Sequence, residues 1–156
     1  MIYEDMADFA AALPRVGALA GLDLGTKTIG VAVSDGLRQV ASPLTVIRRQ
    51  KFTLDAEALL ALVRERALAG LVLGLPRNMD GSEGPRAQST RAFARNLSRL
   101  AELPIGFWDE RLSTVAAERA LLEADTSRKR RAEVIDQVAA GYILQGALDR
   151  LRYLGR

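Results

Sequence analysis

Residues 21 to 35 read GLDLGTKTIGVAVSD, and this stretch sets the architecture of the chain. Together with the residues just before it, 18–24 form a short apolar run, broken by Gly21 and closed by Gly25, which is the pattern of a buried strand. From 28 to 34 the residues alternate: Ile29, Val31 and Val33 fall on one face, and Thr28, Gly30, Ala32 and Ser34 on the other. Ser34-Asp35-Gly36 is a turn signal, and a third strand is expected over 39–47. The links are short, so the three strands should form an antiparallel meander.

Outward from the meander, 53–69 is expected to be helical. Leu54, Ala58, Leu59, Leu62 and Val63 fall at helical spacing, and Gly70 stands where a C-cap would. Leu71-Val72-Leu73 is a brief, wholly apolar strand of the kind found where both sheet faces are covered. A loop rich in Asn, Asp, Gly and Pro reaches about Pro85, and a helix is expected over 86–101. A fifth strand is expected over 104–108, with further helices over 114–124 and 132–151. The order predicts an α/β fold: a mixed five-stranded sheet, made of the meander and two parallel strands reached by right-handed crossovers, with helices on both faces. One domain over 17–156 is expected, preceded by an extension over 1–16 that carries a short amphipathic helix ending at Pro14.

Composition narrows the chemistry. The 156 residues include no cysteine and no histidine, which excludes disulfides, Cys/His zinc sites, thiol nucleophiles and Ser-His-Asp triads. Metal ligands and proton carriers must then be oxygens or lysine, and hard oxygen ligands suit magnesium or manganese. The 22 basic residues exceed the 19 acidic by three, and all but Lys27, Lys51 and Lys129 are arginine, whose planar fork pairs phosphate. No apolar run approaches the ~18 residues of a membrane span. The acidic start, with Glu4, Asp5 and Asp8, does not resemble a signal peptide, so a cytoplasmic protein is expected.

Four acids stand out. Asp23 lies inside an apolar strand, where a carboxylate must be paired, protonated or metal-bound; Gly21 and Gly25 on its face leave room for a ligand or a backbone. Lys27 or turn amides would satisfy it equally well. Asp109 and Glu110 close the fifth strand and point to opposite faces, so at most one joins Asp23 directly; alternation does not say which, and either could simply pair with Arg111. Asp136 sits at the edge of an apolar stripe, with Ala139, Ala140 and Ile143 at i+3, i+4 and i+7, where an acid ordinarily reaches solvent or an arginine. Three converging carboxylates would repel one another unless cations neutralised them, and two magnesium ions about 4 Å apart would serve phosphodiester hydrolysis without histidine.

Three segments carry a family resemblance: GLDLGTKTIGVAVSD at 21–35, LVLGLPRNMDGSEGPRAQSTRAFA at 71–94 and DERLSTVAAERALLEADTSRKRRAEVIDQVAAGYILQ at 109–145. In that order they resemble the YqgF (RuvX) family, described both as Holliday-junction resolvases and as nucleases that mature precursor 16S ribosomal RNA. The likeness spans nearly everything after residue 16. It implies an RNase H-like fold and a magnesium- or manganese-dependent endonuclease with Asp23, Glu110 and Asp136 as catalytic and metal-holding acids. Choosing Glu110 over Asp109 rests on analogy with the wider superfamily. The implied substrate is the 5′ end of precursor 16S rRNA, with ribosomal particles as further partners and four-way DNA as the alternative. The family often carries arginine near position 28, where this chain has Thr28, although Lys27 still supplies positive charge.

Beside such a centre, the run Arg128-Lys129-Arg130-Arg131 and the residues Lys27, Arg77, Asn78 and Arg111 are candidates for holding nucleic acid. Phe, Tyr and Trp total only 5%, which favours recognition of backbone and shape over base stacking. Two other classes stay open. DLGTKTIGVAVSD also resembles the phosphate-binding hairpin of actin-like kinases and ATPases, although 156 residues lack their second domain. A non-catalytic nucleic-acid or ribosome-binding module is the other. Monomer and homodimer are both open.

Overall fold

The fold is given by a computed structural model that describes residues 1–112 and 128–155, without the side chains of 128–134. Its elements are β1 (Ile2–Tyr3), α1 (Met6–Ala12), β2 (Leu19–Leu24), β3 (Thr28–Ser34), β4 (Ala41–Arg48), α2 (Phe52–Arg66), β5 (Gly70–Leu75), α3 (Pro85–Ser98), β6 (Ile105–Asp109), a 3-10 turn at Glu110–Leu112 and α4 (Arg128–Tyr153). The helix expected over 114–124 lies outside the described residues.

The meander forms as the alternation predicts: β2 and β3 pair antiparallel with Asp23 opposite Gly30, and β3 pairs antiparallel with β4. The parallel strands β5 and β6 follow, giving the order β1-β6-β5-β2-β3-β4. Among the described residues the sheet therefore has six strands, not the expected five. The sixth is Ile2–Tyr3, which lies parallel to β6 with Ile2 beside Ile105. Two residues carry too little alternation to be read as a strand.

Local chemistry sets several boundaries differently from the expectation. β4 begins at Ala41 because the Asp35 carboxylate accepts the backbone N–H of Gln39 (2.8 Å) and Val40 (2.9 Å), holding both in the turn. Pro43 is tolerated in β4 because it lies on the sheet edge beside a register shift at Val31/Ala32. α2 ends on Ala67 in the left-handed region (φ 49°), before Gly70, which instead opens β5. α3 starts one residue earlier than expected, with Pro85 in the first turn where its missing N–H costs nothing. α1 is capped by the Asp5 side chain, which accepts the Ala7 N–H at 2.7 Å.

Both faces of the sheet are covered. On one, Leu22, Leu24, Ile29, Val31, Leu73 and Phe107 pack with Leu59 of α2 and Phe93 and Leu97 of α3. On the other, α1 and α4 bring Phe9, Ala140, Ile143, Leu144 and Leu148 against Leu19, Ala32, Val72 and Trp108. This second face is built for close approach. A Cβ on Gly30 would lie 2.0 Å from the Asp136 carbonyl oxygen, one on Gly21 2.6 Å from Leu144 Cβ, and one on Gly74 2.3 Å from Ile143 Cδ1. Glycine at these places lets α4 lie directly on the strands. No helix among the described residues is long and apolar enough to cross a membrane.

Candidate active site

β2, β5 and β6 run parallel, so their C-terminal ends open on one edge of the sheet, where β3 begins and β4 ends. Asp23 lies one residue past the Leu22–Leu73 row, beside Gly74. It shares the face of Gly21, against which Leu144 of α4 packs, and is 2% exposed. Gly74 pairs with Trp108, and Trp108 also belongs to the α4 face, its indole lying against Gly146. Glu110 opens the 3-10 turn that follows β6 and is likewise buried. A Cβ on Gly74 would come within 3.4 Å of Glu110 Cδ. Asp23 and Glu110 thus flank Gly74 from either side, and the missing side chain there makes room for Ile143 of α4.

Asp136 reaches the same face from α4. Its backbone lies on Gly30, the cross-strand partner of Asp23, and its Oδ2 would be 2.8 Å from a Cβ on Gly25. The Thr28 hydroxyl donates to that Oδ2. Thr28 was legible only as a departure from a family habit; its contact with Asp136 depends on a helix more than a hundred residues away.

Asp109 has the opposite parity, pairing with Leu75, and is tied elsewhere. Its Oδ2 accepts from Arg111 at 2.8 Å and lies 3.7 Å from Arg77. The hydrogen bond from the Arg111 guanidinium holds the Asp109 carboxyl below the usual carboxylate range, against the opposing effect of partial burial. Arg77 also lies 3.4 Å from Glu83, and Glu83 is gripped by Arg91 at 2.6 Å. Asn78 donates to Ser82 Oγ (3.0 Å), and Ser82 donates to Asp80, which folds the loop 76–84 on itself. Arg77, Asn78 and Arg111 are therefore engaged within this loop and with Asp109. Lys27 is exposed in the turn after Asp23. Arg128, Lys129 and Arg130 form the first turn of α4, so Arg128 lies about 12 Å along the axis from Asp136.

The donor set suits a hard divalent cation, since Asp23, Glu110 and Asp136 offer only carboxylate oxygens on one face of one edge. Among the described residues, however, no three acids form a closed metal-binding group, and Asp136 is turned to Thr28.

Comparison with known proteins agrees with this architecture. The solved structure of Thermus thermophilus RuvC in complex with a Holliday junction substrate superposes with a TM-score of 0.54 over 87% of this chain and 96% of that one. A second Thermus thermophilus RuvC structure gives 0.51 over 86% and 96%. At 11% and 12% identity these likenesses speak to the fold alone. A Paracoccus denitrificans protein named "Putative pre-16S rRNA nuclease" is 85% identical over 156 residues, covering 100% of this chain and 99% of its own length. A Rhodobacter capsulatus protein of the same name is 77% identical, covering 100% and 98%. The profile of the family described as "RuvX: Holliday junction resolvase" matches residues 17–150. The sheet order is in keeping with a family profile that matches 17–150 and with relatives 77–85% identical over the whole length: the chain belongs to the RuvX family.

Proposed function

We propose that the chain is a divalent-metal-dependent endonuclease acting on structured nucleic acid, with the 5′ end of precursor 16S rRNA as its natural substrate. The observation that carries this reading is the common face shared by Asp23, Glu110 and Asp136 at the open end of β2. Full-length relatives named as pre-16S rRNA nucleases support the substrate. Residues 17–156 form the nuclease domain in this reading, and 1–16 brace it through β1 and through Glu4, which meets Arg91 at 2.7 Å. The protein would work in the cytoplasm on assembling ribosomal particles.

Hydrolysis joins a water oxygen to phosphorus and expels the sugar oxygen, which takes up a proton. Asp23, Glu110 and Asp136 would hold the cation. Bound there, magnesium or manganese supplies Lewis acidity and lowers the pKa of water. The chain's own residues orient and exclude. Thr28 fixes the Asp136 carboxylate, Ile143 and Trp108 wall the acids from solvent on the α4 side, and Lys27 with the run 128–130 brings positive charge to the substrate. With no histidine or cysteine, the proton moves through water, substrate or carboxylate.

The test compares cleavage of an rRNA fragment carrying immature 5′ sequence with cleavage of a four-way DNA junction, each with magnesium and with EDTA. Specific cutting of the RNA that EDTA abolishes is expected. Preferential junction cutting would favour the second reading, resolution of branched DNA, which the family's description supports. Cutting of either in EDTA would end the metal mechanism.

The two acids after β6 separate in the same assay. Glu110→Gln should lower cleavage by about two to three orders of magnitude, since a cation's transition-state stabilisation is worth several kcal/mol. Asp109→Asn should cost less than about tenfold, through loosening of Arg111 and Arg77. The reverse ranking would move the site to the other face of the sheet.

A further inference from the structure

Beside β5 and β6 the expected nucleic-acid contacts Arg77 and Arg111, and their neighbour Arg91, are neutralised. Arg111 is bound to Asp109, Arg77 lies between Asp109 and Glu83, and Arg91 is bound to Glu83 and Glu4. On the other side of Asp23 the balance reverses. The start of β3, the end of β4 and the starts of α2 and α3 bring Lys27, Arg48, Arg49, Lys51 and Arg86 to the same sheet edge. Of these, Lys27, Arg48, Lys51 and Arg86 are exposed. Among the described residues Lys27, Lys51 and Arg86 stand in no ion pair, and the nearby Asp55 is buried and occupied by Arg49 (3.9 Å) and the Gln50 N–H (2.9 Å).

These cations are also tied to the turn that follows Asp23. Arg49 Nη1 donates to the Gly25 carbonyl at 2.7 Å, the Arg49 backbone N–H to Lys27 O at 2.8 Å, and Arg86 Nη2 to Leu24 O at 3.3 Å. Arg49 is further backed by the Phe93 ring, 5.9 Å from its centroid. Anchored arginine heads and unpaired lysines beside a candidate scissile site form a track with the spacing freedom that a phosphodiester backbone needs and that an acid-quenched loop lacks.

We propose that the backbone of the bound nucleic acid runs from Asp23 across the start of β3 and the end of β4, gripped by Lys27, Arg86 and Lys51, and not across the loop 76–84. This rests on the nuclease reading for the position of the scissile phosphate.

The experiment measures binding of a fluorescein-labelled RNA hairpin, and separately of a four-way DNA junction, across a salt series in magnesium-free buffer. Lys51→Ala and Arg86→Ala are compared with Arg66→Ala, at the far end of α2. Each track variant should weaken binding about fivefold near 0.1 M salt and reduce the salt slope by about one, with both effects adding in the double variant. Arg66→Ala should bind as wild type. Because Arg86 also holds Leu24 O, Arg86→Gln and unchanged thermal melting guard against a folding defect; the Lys51 side chain is exposed and makes no capping bond to α2, so its loss should leave the fold intact. Wild-type affinity and slope in the Lys51/Arg86 double variant would overturn the track while leaving the catalytic reading intact. Cleavage by Asp23→Asn at the wild-type rate would overturn the catalytic reading while leaving the track intact. Failure of the wild-type protein to bind either probe at low salt would remove both.

Discussion

Asp23→Asn is expected to lose about three orders of magnitude in cleavage rate while binding nucleic acid at least as tightly as wild type. The change is nearly isosteric, so the packing of β2 against Leu144 should be kept. What is lost is a full charge at the end of a buried strand. A cation's stabilisation of developing charge is worth several kcal/mol, and each ~1.4 kcal/mol is tenfold in rate. Binding follows a different term, since it depends on counterions released by lysine and arginine, and removing an anion beside the phosphates can only help it. Melting adds a second readout. Magnesium or manganese should raise the wild-type Tm by mass action and leave the Asp23→Asn Tm nearly unmoved. Cleavage within tenfold of wild type, or an equal metal-induced shift, would exclude Asp23 as a metal ligand.

Asp23 was legible in the sequence because it broke a local rule: an acid in an apolar strand, with glycines on its own face. The meander was legible for the same kind of reason, since period-two alternation over 28–34 leaves little freedom in how β3 faces its neighbours. Glu110 and Asp109 were not separable in this way. Both faces of this sheet are apolar, so alternation tells which residues share a side and not which side carries the site. Only the seating of α4 on Gly21, Gly30 and Gly74 distinguishes the faces, and that is a tertiary fact. The sixth strand escaped because two residues hold no period. The pairing of Arg77 and Arg111 with Asp109 escaped because charge counts along a chain do not say which charges meet. A basic residue near a candidate site is informative only once its acid is known.

That seating yields the largest expected effect on stability. Gly30→Ala places a Cβ 2.0 Å from the Asp136 carbonyl oxygen and 2.3 Å from its carbon, both backbone atoms that cannot rotate aside. Either α4 lifts from β3 or the strand bends, and an overpacked core of this kind costs about 3 kcal/mol. For a chain of this size that corresponds to a Tm lower by roughly 6–12 °C. Gly36→Ala, in the β3–β4 turn with nothing within 4 Å of its added methyl, should change Tm by far less. The functional consequence is separable from the loss of stability. At a temperature where the Gly30→Ala variant is fully folded, its cleavage should still fall by more than about tenfold, because shifting Asp136 by even 1 Å removes it from Thr28 and from the edge it shares with Asp23. A Gly30→Ala protein that melts like wild type would mean that α4 does not rest on β3, and with that the delivery of Asp136 to the site would have to be abandoned.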